Sequence, residues 1–231
     1  MPVRTIYPLV TTVLAFVFAF FVGQQYVDRR RPHQLVWTIG LILFGLSAFP
    51  EFYTMLRPWN PLLYRLYYVG SASLVAFLGA GTVYLLYNKR IGHAFLAYTI
   101  LMTLYMLVRA LNAPVDASRF EPGIVVGGFA MDPSVRRLSP LLSGPGSLAL
   151  FGGAIYSWIK AGTAWNLLIA AGTGLIAIAG LGARYGFSEH FYLAELLGLT
   201  LMFWGFMYSR EVIRARDRAR GAAPPAEGAS K

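Results

Sequence analysis

Six residues of this chain carry chemistry in places where it is costly to keep: Glu51, Arg65, Tyr68, Arg109, His190 and Glu195. Four are ionisable groups within long apolar runs, and His190 and Tyr68 lie beside them in the sequence or on the same helical level. A charged group near the middle of a bilayer costs about 2.5–3.5 kcal/mol on insertion scales, so one that persists is a candidate for function. Counted from the basic ends of their helices at about 1.5 Å per residue, Glu51, Arg109 and Glu195 reach about 24–27 Å, and Arg65 lies about one turn inside the far end. Two acids and two bases at one level can neutralise each other, as buried charges require. Tyr64, Tyr67, Tyr105 and Tyr192 add hydroxyl partners at that height. The pattern predicts a polar cavity, open to the outside, that binds a small polar or anionic molecule. A structural salt-bridge layer, with long side chains reaching the headgroups, would give the same composition.

Other chemistries find no support. His33 and His93 fall at one end of the helices and His190 at the other, too far apart to share an ion at ligand distances of about 2 Å. There are no cysteines, so thiolate nucleophiles, Cys-ligated metals and disulfides are excluded. No metal and no cofactor is expected, and no lysine stands in the last span to form a Schiff base. Without an acid/base or metal set, the chain does not read as an enzyme. Gly172-x-Gly174 and Gly180-x-Gly182 echo nucleotide fingerprints, but no strand precedes them, and close helix packing is the simpler role. Pro50 beside Glu51 marks either the end of the second span or a kink in it. Ser143-Gly144-Pro145-Gly146-Ser147 reads as the start of the fifth span, with free amides at its positive end.

The elements that position these residues follow from composition. The chain is 57% hydrophobic and 13% charged, against about 25% charged for soluble domains. It has too little polar surface to cover itself in water, and a bilayer removes that need. Seven segments reach the roughly 20 apolar residues that a spanning helix needs: 6–27, 34–53, 61–87, 91–111, 141–160, 165–184 and 191–210. The first reads as a retained helix, because no small-residue cleavage site follows it. The expected fold is an all-α membrane protein, a seven-transmembrane-helix bundle. Its longest connection, 112–140, carries a weak hairpin signal at 124–131, and residues 221–231, rich in Ala, Pro, Gly and Ser, read as a disordered tail. A faint likeness between 67–84 and 191–208 suggests a 3+1+3 pseudo-repeat, as in SWEET-type transporters.

Charge sets the expected orientation. Arg29, Arg30 and Arg31, then Lys89 and Arg90, then Lys160, then Arg210, Arg214, Arg216, Arg218 and Arg220 all fall on one side of seven spans. The positive-inside rule makes that side cytoplasmic, with the N-terminus outside and the C-terminus in the cytoplasm. The net charge of +10 is therefore a topology signal, and nucleic acid is not an expected partner. Membrane lipids are, including anionic headgroups at the cytoplasmic face, at about 1 kcal/mol per basic residue. The alternation of Arg with Ala and Asp from Arg210 to Arg220 suggests that the last helix continues beyond the bilayer and offers a contact for a protein partner. Tyr7, Tyr26, Trp37, Tyr53, Trp59, Tyr87, Trp158, Trp165 and Tyr208 lie near the helix ends, where aromatic belts form.

Arg29-Arg30-Arg31-Pro32-His33 with Trp37, Trp59-Asn60-Pro61-Leu62-Leu63-Tyr64-Arg65-Leu66-Tyr67-Tyr68 and Leu78-Gly79-Ala80-Gly81-Thr82-Val83-Tyr84-Leu85-Leu86 resemble an uncharacterised bacterial seven-transmembrane-helix family. The resemblance covers about the first ninety residues and implies a bacterial cytoplasmic (inner) membrane location, with no activity attached. More loosely, the chain is similar to the seven-helix sensory regions of histidine kinases, without a kinase of its own. These readings converge on a ligand-binding sensor or the membrane subunit of a complex, with a small-solute transporter of 3+1+3 architecture as the alternative.

Overall fold

Proline and asparagine set most of the helix starts. In the computed structural model, which describes residues 6–120, 127–184 and 190–221, Asn60 and Asn88 each cap the helix that follows them. Their side-chain oxygens accept from Leu63 N at 2.8 Å and Ile91 N at 3.0 Å, satisfying amides that have no partner in the first turn. Pro32 and Pro61 stand at the first helical turn, where a missing N–H costs nothing. The resulting helices are α1 (Ile6–Arg29), α2 (Pro32–Tyr53), α3 (Pro61–Leu86), α4 (Lys89–Asn112), a short α5 (Pro133–Arg136), α6 (Ser139–Ala161), α7 (Ala164–Arg184) and α8 (Phe191–Gly221). Gly162 ends α6 in the left-handed conformation at φ 63°, open to glycine without steric cost.

Seven of the helices are long and apolar enough to cross a bilayer. The outward faces carry Leu101, Leu148, Ile159 and Ile178, all largely exposed. Water would penalise such a surface and lipid does not, so the chain is a polytopic membrane protein built as a seven-helix bundle. Below, the end of the bundle that carries the 113–138 connection is called the loop end, and the other the basic end.

Neighbouring helices close a circuit: α1 packs on α2, α2 on α3, α3 on α6, α6 on α7, α7 on α8, and α8 returns to α1. α4 stays outside, against α3. α3, which contacts α2, α4 and α6, has 61% of its apolar window inside the protein, whereas α4 and α7 have 17% each. Small residues allow the tightest approaches. A methyl group on Gly79 would sit 2.4 Å from the Gly146 carbonyl oxygen of α6, and one on Gly172 would sit 2.3 Å from the Gly198 carbonyl oxygen of α8. Glycine–glycine seams thus hold α3 to α6 and α7 to α8.

Two prolines lie inside helices. α2 continues three residues past Pro50 and closes with Thr54, whose N and Oγ1 both donate to Pro50 O, at 2.9 and 2.7 Å. Pro145 likewise lies within α6, which begins at Ser139, so the Ser143–Ser147 amides that the sequence assigns to a helix start are internal. Pro145 offers no N–H to Leu141 O, four residues back. That oxygen is met by the Tyr98 hydroxyl from α4 at 2.5 Å, a repair by a neighbouring helix.

The long connection folds back over α3 and α4. Val115 and Met131 form an isolated bridge, and Asp116 N donates to Ala130 O at 2.9 Å. The hairpin signal at 124–131 therefore resolves, in its described part from 127, into a turn and one bridge; residues 124–126 lie outside the described residues. Trp59, Tyr64 and Phe120 pack beneath this cap with Met131, Val135 and Leu142. Asp116 accepts from Ser118 and Arg119, and Asp132 from Ser134, and these bonds hold both carboxyls below the usual aspartate range. Two belt assignments change here. Trp59 is buried in that cluster, and Trp37 is half-buried with Nε1 donating to Leu78 O at 3.0 Å, so both rings serve the interior.

Candidate functional site

Ser47 and Glu51 are four residues apart and so share one face of α2. That face meets α3, where the Tyr67 hydroxyl donates to Glu51 Oε1 at 2.9 Å. Across the bundle, Glu195 stands one turn into α8, and its carboxyl lies within hydrogen-bonding reach of that of Glu51. Both are deeply buried, at 3% and 7% exposure. Glu51 Oε2, Glu195 Oε2 and Ser47 Oγ have no hydrogen-bond partner among the described residues. Two carboxyl groups offer acceptors only, unless one holds a proton, so the arrangement lacks a donor.

These groups open onto a cavity of about 610 Å3 at the loop end. The wall of α3 supplies Tyr67, Tyr68 and Ser71, that of α6 supplies Ser143 and Ser147, and that of α7 supplies Thr173. Gly127, Gly128 and Phe129 form part of the roof, where Arg136 lies over the Phe129 ring at 5.3 Å from its centre. The rest of the lining is apolar, with Phe44, Leu78, Leu150 and Met202 as the floor. Below that floor, toward the basic end, lies a second cavity of about 90 Å3, which shares Leu78, Leu150 and Met202 and reaches Thr82, Ser157 and Asn166.

The large cavity also reaches the side of the bundle. At the basic half α6 and α7 touch, and a methyl group on Gly174 would lie 3.2 Å from the Phe151 ring. Toward the loop end the wall between them opens: no described residue lies within 4 Å of a methyl group placed on Gly144 or Gly180. Leu148 and Leu181 flank this gap, lining the cavity while being 78% and 55% exposed.

Of the six residues singled out in the sequence, Glu51, Tyr68 and Glu195 line the cavity. The other three stand elsewhere. Arg65 Nη2 donates to Ala113 O at 2.9 Å, fastening α3 to the end of α4. Arg109, exposed on α4, donates to the Tyr105 hydroxyl at 3.2 Å and to Ser134 Oγ at 3.1 Å, tying α4 to α5. His190 is exposed in the turn before α8. The expected neutralisation of acids by bases is therefore not what the structure displays: acid faces acid. Among the described residues neither glutamate has a salt-bridge partner, and Arg136 is the one basic residue of the lining. The physical reason is azimuth. The height argument places Arg109 correctly along its helix, but α4 stands outside the circuit.

Sequence reasoning passed over Ser47, Thr173 and Arg136 as site residues, and read Ser143 and Ser147 as part of a helix start whose backbone amides could meet an anion. The pairs Ser47/Glu51 and Ser143/Ser147 at i, i+4 were the available signal, since two polar groups one turn apart in an apolar helix mark a facing stripe.

Among the described residues, the Tyr67 hydroxyl is the one donor to Glu51. Tyr67→Phe should therefore destabilise the folded protein by about 1 kcal/mol, within the 0.6–2 kcal/mol range of interhelical hydrogen bonds in membranes. Thermal unfolding in neutral detergent reads this. An unchanged midpoint would mean that the bond contributes nothing.

No family model, no curated protein and no solved structure matches this chain.

Proposed function

We propose that this polytopic membrane protein binds a small polar ligand in the loop-end cavity, acting as a sensor or as the membrane subunit of a complex. The observation that carries this reading is the pair of buried carboxyls, each with an unpartnered oxygen, on the wall of a cavity of about 610 Å3. That volume is within the 300–1,000 Å3 typical of small-molecule sites. Buried polar atoms without partners are costly, and a ligand in the adjoining cavity would complete them. The proposed setting is the bacterial cytoplasmic membrane that the family resemblance implies, with the loop end outside, as the distribution of basic residues implies. The continuation of α8 to Gly221 carries Arg210 to Arg220 beyond the apolar stretch, toward anionic headgroups or a protein partner.

The test is direct. Native mass spectrometry of the detergent-purified chain should find a small molecule at up to one per protein. Ser147→Trp, which fills the cavity from α6, should lose it while keeping the unfolding midpoint within a few degrees. Retention by Ser147→Trp would place the molecule elsewhere and end this reading.

A second reading, a small-solute transporter, is favoured by one observation: two cavities are stacked along the bundle and share Leu78, Leu150 and Met202 as lining. α4 outside the circuit also suits a linker helix in a 3+1+3 arrangement. Flux of the co-purifying molecule into proteoliposomes, abolished by Glu195→Gln, would select this reading.

A further inference from the structure

The chemistry of the cavity goes further than a ligand of unspecified polarity. We propose that it takes a hydrophobic organic cation, a protonated amine on an apolar body, with the ammonium between Glu51 and Glu195 and the body directed toward the gap between α6 and α7. This rests on the binding role proposed above and names its ligand class.

The first support is charge balance. Two carboxyl groups within reach of one another are buried without a basic partner among the described residues. A countercharge must come from a proton or from outside the protein, because unpaired buried charge is expensive. An anion would add a third negative group at this point. An ammonium group instead brings three N–H donors to the two glutamates of the wall, where Glu51 Oε2, Glu195 Oε2 and, one turn along α2, Ser47 Oγ are buried just beneath the cavity surface without a partner among the described residues. The donor deficit of the site and the donor surplus of the ligand match.

The second support is the shape and polarity of the remainder. Away from the carboxyls the cavity is lined by Phe44, Leu74, Val75, Leu78, Ile176 and Met202, a surface that favours hydrocarbon. Its opening between α6 and α7, flanked by Leu148 and Leu181, lies on the face of the bundle that lipid covers. A hydrophobic amine dissolved in the bilayer could reach the carboxyls through this gap without crossing the roof. Arg136 stands in that roof with its guanidinium over Phe129, within the short α5, and forms no ion pair with either glutamate.

Octylamine, octanol and octanoate provide the test, each titrated against the purified full chain in neutral detergent while the unfolding midpoint is followed. Octylamine should raise the midpoint saturably, because a ligand that binds only the folded state stabilises it by mass action. Octanol, with the same body and no charge, should give no saturable shift. The double variant Glu51→Gln/Glu195→Gln should weaken octylamine at least tenfold, and the single variant Glu195→Gln should fall between. Equal response of wild type and double variant would overturn the proposal, as would equal shifts with octylamine and octanol. A saturable shift with octanoate alone would overturn the amine class and place an anion at Arg136, leaving the binding role intact. If no probe shifts the midpoint while Ser147→Trp still loses the co-purified molecule, the amine class falls by itself; if Ser147→Trp loses nothing, both readings fall.

Discussion

Alanine at Gly79 should lower the stability of the folded bundle by about 3 kcal/mol, at the upper end of the cost of overpacking a close-packed interior. The added methyl would lie 2.4 Å from the Gly146 carbonyl oxygen and 2.6 Å from its Cα. The collision is reciprocal, since a methyl on Gly146 would lie 2.5 Å from Ala76 Cα. Backbone atoms of two long helices cannot rotate aside as a side chain can, so α3 and α6 must separate as units. They carry Tyr67, Tyr68 and Ser71 on one side of the cavity and Ser143 and Ser147 on another, so the site should widen with the seam. Gly180→Ala is the matched control. Nothing lies within 4 Å of the new methyl there, and the change should be neutral or stabilising by up to about 1 kcal/mol through helix propensity. Parallel unfolding in one detergent compares the two variants. If they unfold together, the α3–α6 approach is looser than the structure has it.

The contrast between these glycines shows where the sequence was informative. Hydropathy revealed seven spans because lipid selects for apolar length irrespective of packing. The sequence also marked Gly172 and Gly180 as packing residues without telling contact from open space, which depends on which helix lies opposite. The same limit governed the candidate site. Distance along a helix is a one-dimensional quantity that the sequence gives directly, and Glu51 and Glu195 do come together at one height. Direction around the bundle is not given. α4 is as apolar as its neighbours, with the same mean window hydropathy of 1.7 as α2 and α3. Nothing in its composition announces that it lies outside the circuit and carries Arg109 away from the cavity. Trp37 and Trp59 were assigned to the lipid interface for a related reason, since position near a helix end does not say which way a ring points. Pro145 misled in another way: proline reads as a start or a stop, and only the Tyr98 hydroxyl from a different helix allows it mid-helix here.

Replacing Glu195 with glutamine should stabilise the empty protein, by about 1–3 kcal/mol, the usual range for relieving an unsatisfied buried polar group. Most substitutions of a buried side chain do the reverse, which makes the sign informative. Unless a proton is held between the native pair, every oxygen of it is an acceptor, and among the described residues Tyr67 serves just one of them. Glutamine keeps the shape of glutamate, removes one potential charge and brings an amide that can donate to Glu51 Oε2. The Tyr67–Glu51 bond is untouched by the exchange. Binding should move in the opposite direction, because the carboxyl that destabilises the empty bundle is the one that holds the ligand's charge, the trade-off expected where a site is kept strained for function. Unfolding of the ligand-free variant and titration with octylamine measure the two halves separately. A variant that is both less stable and unchanged in binding would mean that the Glu51–Glu195 pair is a structural clasp, satisfied by a proton held between the two carboxyls, and that the cavity beside it owes nothing to their charge.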